Sequence, residues 1–332
     1  MNWLEHNVEQ QRAVLSAQLG TPMAALAARC AAVWRDKTQL DEVLRQGLAI
    51  MPLSQLVFAM DASGRQMSAN VHAGGLLDDQ AYGQDLAARP FVAGVAPWQE
   101  FLLSVAYISR VSGRPCLTAV QRVAGDGGML GFVAADFDLR DLQCSEQPVV
   151  ACKDWRQIKG DPVIRANLFQ QQRVRSEMDQ HLDDVISIME ELICERGVFH
   201  SNLHFSSSCA TLWLMDDPYS YHLHVLDEII DPAVCLAYPR RAYSPRALVR
   251  MEQVRVVFER FKLLREADEV IYLRAGSLNV VNGMVSLTFS CDGSHYMMAD
   301  EFLAKENSFW FGSISAPSAN ATTSANVSAV VQ

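Results

Sequence analysis

Apolar residues recur at helical spacing through residues 3–50 and then give way to short runs with strand texture. Leu15, Leu19, Met23, Leu26 and Ala27 share one helical face, and residues 36–48 repeat the pattern with Leu40, Val43, Leu44 and Leu48. Thr21-Pro22 marks a kink or a restart, because proline removes a backbone donor from the helix. Beyond it, residues 56–60 and 66–70 flank Asp61-Ala62-Ser63-Gly64-Arg65, which reads as a hairpin turn. A Gly- and Asp-rich loop at 72–83 and a helix-like stretch at 98–103 come next. Three further strands are expected at 103–110, 116–123 and 129–137, the last two joined by Gly125-Asp126-Gly127-Gly128. Helix, two strands, loop and three strands in that order predict an α+β unit: a long N-terminal helix packed on an antiparallel sheet.

The texture loosens over 144–161, and Gly160-Asp161-Pro162 punctuates a boundary. Three segments follow from this: 1–150, a second α+β domain at 151–315, and a disordered Ser/Ala/Asn/Thr-rich tail at 316–332. The second domain opens with an apolar stripe of Met178, Leu182, Val185, Met189 and Leu192, widened by Ile186 and Ile193. Such a stripe either faces a core or serves as a dimer surface. Strands are expected at 210–215 and 222–230. Ser244 should cap a helix beginning at Pro245, with Leu248, Val254, Val257, Phe258, Phe261 and Leu264 on one side. A strand at 270–274 and a hairpin of 278–281 with 284–290, turned by Asn282-Gly283, complete it.

Charge narrows the functional classes. With 28 Lys plus Arg against 38 Asp plus Glu, the net charge is −10 and no basic block exists to neutralise phosphates, which argues against nucleic acid as a partner. The most apolar early stretch, residues 23–34, is about a dozen residues and contains Arg29, against the roughly 20 apolar residues that a span needs. Glu5, Glu9 and Arg12 stand where a signal peptide would be basic and then apolar, so the expectation is a cytoplasmic protein without a membrane span. Eight scattered cysteines without a C-x-x-C then read as reduced thiols.

The first half carries a spaced set: Arg89-Pro90-Phe91, Tyr107-Ile108-Ser109-Arg110, Thr118, Gly131 and Asp136. Over about residues 36–142 this set resembles the ligand-binding core of bacterial Cache sensor domains, also called PDC or PAS-like sensor domains. The resemblance implies a PAS-like sheet and the binding of a small polar ligand: an organic acid, an amino acid or an amine. It also implies signalling through the second domain or a downstream partner protein. Arg89 would anchor an anion, since guanidinium pairs bidentately and keeps its charge. Asp136 would meet a cation or orient Arg89; Ser109, Arg110 and Thr118 would supply polar contacts; and Phe91, Trp98 and Tyr107 would wall the site. The same residues also read as a structural Arg89–Asp136 ion pair among core aromatics. Amino-acid-binding members carry an acid where this chain has Ser109 and a second aromatic where it has Val92.

No catalytic residue, cofactor or metal is assigned. Cys291-Asp292-Gly293-Ser294-His295 matches the end of a two-iron cluster signature, but the positions of its other two cysteines hold Asn282 and Val280. No P-loop or G-x-G-x-x-G is present. Two alternatives to sensing stay open. One is a metal-dependent enzyme drawing on His200, His204, Cys209, His222, His224 and His295. The other is a non-catalytic homodimeric interaction protein built on the 178–193 stripe.

Overall fold

The computed structural model describes residues 3–51, 53–93, 99–142, 173–291, 293–306 and 309–310. The boundary at 143–172, the tail and Trp98 lie outside these residues. Helix α1 (Trp3–Val33) runs unbroken through Pro22 instead of restarting there. Leu15 before the proline and Met23 after it are both fully buried, so packing on either side offsets the lost hydrogen bond. Helix α2 (Lys37–Ile50) starts where Asp36 caps it, its carboxylate accepting from the Gln39 amide at 3.0 Å.

Seven antiparallel strands form the first sheet: β1 (Leu56–Asp61), β2 (Asn70–His72), β3 (Leu77–Asp78), β4 (Phe101–Leu103), β5 (Tyr107–Ile108), β6 (Pro115–Gly125) and β7 (Gly128–Asp138). Their order is β3-β2-β1-β7-β6-β4, with β5 also paired to β6. Within the stretch read as helix-like at 98–103, Phe101–Leu103 form strand β4, because a three-residue apolar run carries no period of its own. Alternation divides the sheet. Val57, Ala59, Leu117, Ala119, Val133 and Ala135 join the main core with α1 and α2. Phe58, Met60, Val120, Phe132 and Ala134 join a smaller cluster with Phe91 on the opposite face, where the one-turn helix α3 (Pro90–Ala93) lies.

The second sheet has the order β10-β9-β8-β11-β12-β13. Its strands are β8 (Val198–His204), β9 (Cys209–Leu214), β10 (Asp217–Val225), β11 (Leu273–Asn279), β12 (Met284–Phe289) and β13 (Ser294–Met298). The long helices α4 (Leu182–Glu195) and α6 (Met251–Glu266) accompany it, with the short α5 (Leu226–Ile229) and α7 (Ala299–Ala304). The chain is thus α+β throughout, with a long N-terminal helix on one antiparallel sheet and a second α+β unit after it. The 178–193 stripe is wholly buried and so faces the core.

Three readings need correction. Strand β10 ends at Val225, and the chain turns into α5 where the strand was expected to run on to 230. The helix expected from Pro245 begins at Met251, because the amides of Leu248 and Val249 both donate to Val280 O and keep that segment out of the helix. Leu248 is accordingly exposed, while Val254, Val257, Phe258, Phe261 and Leu264 are buried as read. The strands expected at 270–274 and 278–281 are the single strand β11, which meets β12 across Asn282-Gly283 with Gly283 at φ +72°.

Candidate functional site

Register assembles the site before any side chain is considered. Leu56, Asp136 and Thr118 lie in one row across β1, β7 and β6, and Tyr107 of β5 pairs with Cys116 of β6. Strand alternation puts Cys116, Thr118, Val120, Ala134 and Asp136 on the face that carries Phe91. Thr118 donates to Asp136 Oδ1 at 2.7 Å, and its hydroxyl lies 2.7 Å from the Tyr107 phenol. Thr118 is completely buried, its amide tied to Ser104 Oγ at 2.9 Å, so this Asp–Thr–Tyr chain has little freedom.

Arg89 is carried by the turn that enters α3. Its guanidinium lies 5.8 Å from the Phe91 ring centre and 6.0 Å from that of Tyr107. Among the described residues no carboxylate reaches it within ion-pair distance, and Asp136 senses it only at longer range. An Arg89–Asp136 ion pair is therefore not formed. Phe91 packs edge-on to Phe58 at 5.7 Å and lies 6.3 Å from Tyr107, closing the apolar floor.

Burial raises the Asp136 carboxyl to about 6, against the opposing pull of Thr118, Arg89 and Tyr107. Tyr107 is held well above its ordinary range, first by burial and then by the Asp136 charge, and the Cys116 thiol is raised for the same two reasons. The result is one committed hydrogen-bond chain ending in a carboxyl raised to about 6, near a guanidinium that has no carboxylate partner among the described residues.

The remaining expected residues are placed differently. Ser109 Oγ accepts from the amides of Val111 and Ser112, so it is spent on its own turn. Arg110 is exposed at the start of that turn. Trp98 lies outside the described residues. Cys116 was missed, although the alternation that selects Thr118 also selects it. Gly131 serves packing: a Cβ there would strike Met60 O and come within 2.6 Å of the Trp34 ring.

The histidines of the second unit do not converge. His222 and His224 face inward, where Trp3 of α1 packs on both, and His224 bridges Glu228 at 2.9 Å and the Tyr238 hydroxyl at 2.5 Å. His200 and His204 stand on the other face of that sheet, since their pairing partners alternate with those of the inward residues. Among the described residues no group of three or more His, Cys, Asp or Glu side chains is placed to hold a metal ion. Cys30, Cys116, Cys194, Cys209, Cys235 and Cys291 are free thiols, while Cys144 and Cys152 lie outside the described residues. None of the described helices is long and apolar enough to cross a membrane.

No family model matches the chain, and no curated protein does. Among solved structures it is similar to the ligand-binding domain of the Campylobacter jejuni chemoreceptor Tlp3 in complex with 4-methylisoleucine, at 13% identity and a TM-score of 0.34, covering 43% of this chain and 63% of that one. It is similar to the ligand-binding domain of the Pseudomonas fluorescens chemoreceptor CtaA in complex with L-isoleucine, at 19% identity and a TM-score of 0.32, over 42% of this chain and 55% of that one. It is also similar to an extracellular ligand binding receptor from Desulfohalobium retbaense, at 15% identity and a TM-score of 0.33, over 41% of this chain and 24% of that one. The chain spans less than two thirds of the length of each of these structures.

Proposed function

We propose that this chain is a small-molecule sensing protein whose first sheet binds a small polar ligand between Arg89 and the Asp136–Thr118–Tyr107 chain, and whose second unit or a partner protein carries the signal onward. The observation that supports this reading is the Arg89 guanidinium, held over Phe91 and Tyr107 with no carboxylate partner among the described residues. A cation so placed is complementary to a ligand carboxylate, which it can take bidentately. Asp136 then offers an acceptor to an amine or hydroxyl, and it is more fully ionised above pH 6 than below.

A thermal-shift screen of the whole chain against small carboxylates, amino acids and amines tests the reading. Ligand at a hundredfold its Kd stabilises the bound state by about 2.7 kcal/mol, which a melting curve resolves. Arg89→Ala should lose the shift while keeping the unliganded melting temperature, since Arg89 holds no ion pair in the fold. A ligand that Arg89→Ala binds undiminished, or a screen without a hit, overturns the proposal.

A further inference from the structure

The second sheet has two unlike faces. On one, Leu203, Leu212, Leu278, Val285 and Leu287 are buried beneath the helices, close enough that a Cβ on Gly276 would come within 3.0 Å of the Phe261 ring of α6. On the other, register aligns Tyr221, Trp213, His200, Asn279, Met284 and Met298 in one continuous row across all six strands. Trp213 stacks on His200 at 4.4 Å and meets Tyr221 at 5.8 Å. The next row holds Thr211, Asn202, Ser277 and Ser286 between Leu223 and Tyr296, and a third runs from Val225 to Ser294. No Asp, Glu, Lys or Arg stands in any of these rows. Burial lowers the proton affinity of His200 and His204, so these three rows are uncharged at neutral pH, with Arg274 beside the third row as the extra residue of the β11 bulge. Tyr221 is 60% exposed, Tyr296 67%, Met284 41% and Met298 46%.

We infer that this face is where a second copy of the chain docks, sheet against sheet about a two-fold axis. Uncharged rows of this extent let two copies of a chain of net charge −10 approach there without placing like charges of those rows in contact. A charged partner would leave its own charges desolvated and unpaired there, and a nucleic acid would find no cation. A bilayer would strand the Thr211 hydroxyl and the Asn202 amide of the middle row. A second copy presents the same banding of aromatic and hydroxyl rows, and a two-fold axis matches each patch with a complement of identical composition. Six strands and five residues of each cover about 500 Å² of flat sheet, nearer ~700 Å² with the side-chain rim. That area reaches the low end of what a stable dimer buries on each partner, so the association is weak.

Sedimentation of the whole chain over a wide concentration range, at low and at high salt, provides the test. The expected result is a concentration-dependent monomer–dimer equilibrium that added salt leaves unchanged or tightens, since no cross-contact ion pair is screened and the net repulsion is. Tyr296→Glu and, separately, Tyr221→Lys put a charge on a side chain outside the core. Each should keep the wild-type melting curve and weaken association by about tenfold or more. Val111→Glu, on an exposed loop of the first sheet, should leave it unchanged. A chain that stays monomeric throughout gives the face to another occupant and overturns the inference. So does a dimer that survives both charge variants, or one that dissociates as salt is raised.

Discussion

Asp136 is pulled in opposite directions by its surroundings, and the balance makes it a reporter of the site. Burial raises its carboxyl to about 6, while in an unfolded chain the group titrates near ~4. Between those values the folded chain holds a proton that the unfolded chain has released. Its contribution to stability is therefore greatest below the unfolded value, falls as pH rises through the window, and is flat above the folded value. Asp136→Asn keeps an oxygen for the Thr118 hydroxyl and removes the charge. It should melt higher than wild type at pH 7–8 and show no advantage below pH ~4, as followed by calorimetry across that range. A variant no more stable at pH 8 than at pH 4, relative to wild type, would show the carboxylate to be well solvated. Thr118 and Asp136 of this row were singled out by the resemblance of a spaced polar set to sensor domains, and strand alternation accounts for their facing one side. The spending of Ser109 on its own turn was not legible, since a serine two residues after a tyrosine looks the same whether its hydroxyl faces a ligand or a backbone amide.

At the scale of elements, close approach explains what periodicity leaves out. β1 and β7 run side by side, and Trp34, just beyond the end of α1, packs against β7 at Gly131, where there is no room for a side chain. Gly131→Ala should therefore destabilise the chain by roughly 1–3 kcal/mol, the usual cost of overpacking, with the melting temperature as the readout. An unchanged melting temperature would mean that both the β1 backbone at Met60 and Trp34 give way at no cost. The helices α2, α4 and α6 were readable from their apolar stripes, which the core buries. Strand β8 was not read. Its outward positions are His200, Asn202 and His204, of which the two histidines draw the eye as metal ligands, and the strand signal is only the inward alternation of Ser201 and Leu203. The start of α6 was also misplaced. Ser244-Pro245 has the composition of a helix start, but two hydrogen bonds from Leu248 and Val249 to Val280 outweigh that local preference.

The two sheets share one interior. A single apolar cluster runs from Leu15 and Leu117 through Leu192 and Phe261, and α1 spans both units, with Arg12 holding Leu103 O and Ser104 O in the first while Trp3 packs on Tyr238 in the second. The polar link is Arg196, fully buried, whose Nη2 donates to Leu139 O at 2.7 Å immediately after β7 ends. Glu191, equally buried, lies 3.5 Å from Arg196 Nε and 3.3 Å from Arg140. Burial raises its carboxyl, and the two guanidinium groups oppose that rise. No sequence pattern announces such a link, because its members are separated by the residues between the two sheets and each taken alone resembles a surface charge. A displacement of β7 by ligand at Asp136 would bear on Arg196 through only two intervening residues of chain. The intact protein should then unfold in one calorimetric transition, and a ligand of the first sheet should move all of it. Arg196→Met leaves Glu191 buried beside one cation only. It should cost about 3–5 kcal/mol, as breaking a buried pair does, and should separate the transition into two, with ligand moving only the first sheet's part. Two transitions already present in the wild-type chain would show that the shared interior does not make the units cooperative, and would leave any signal to travel through α1.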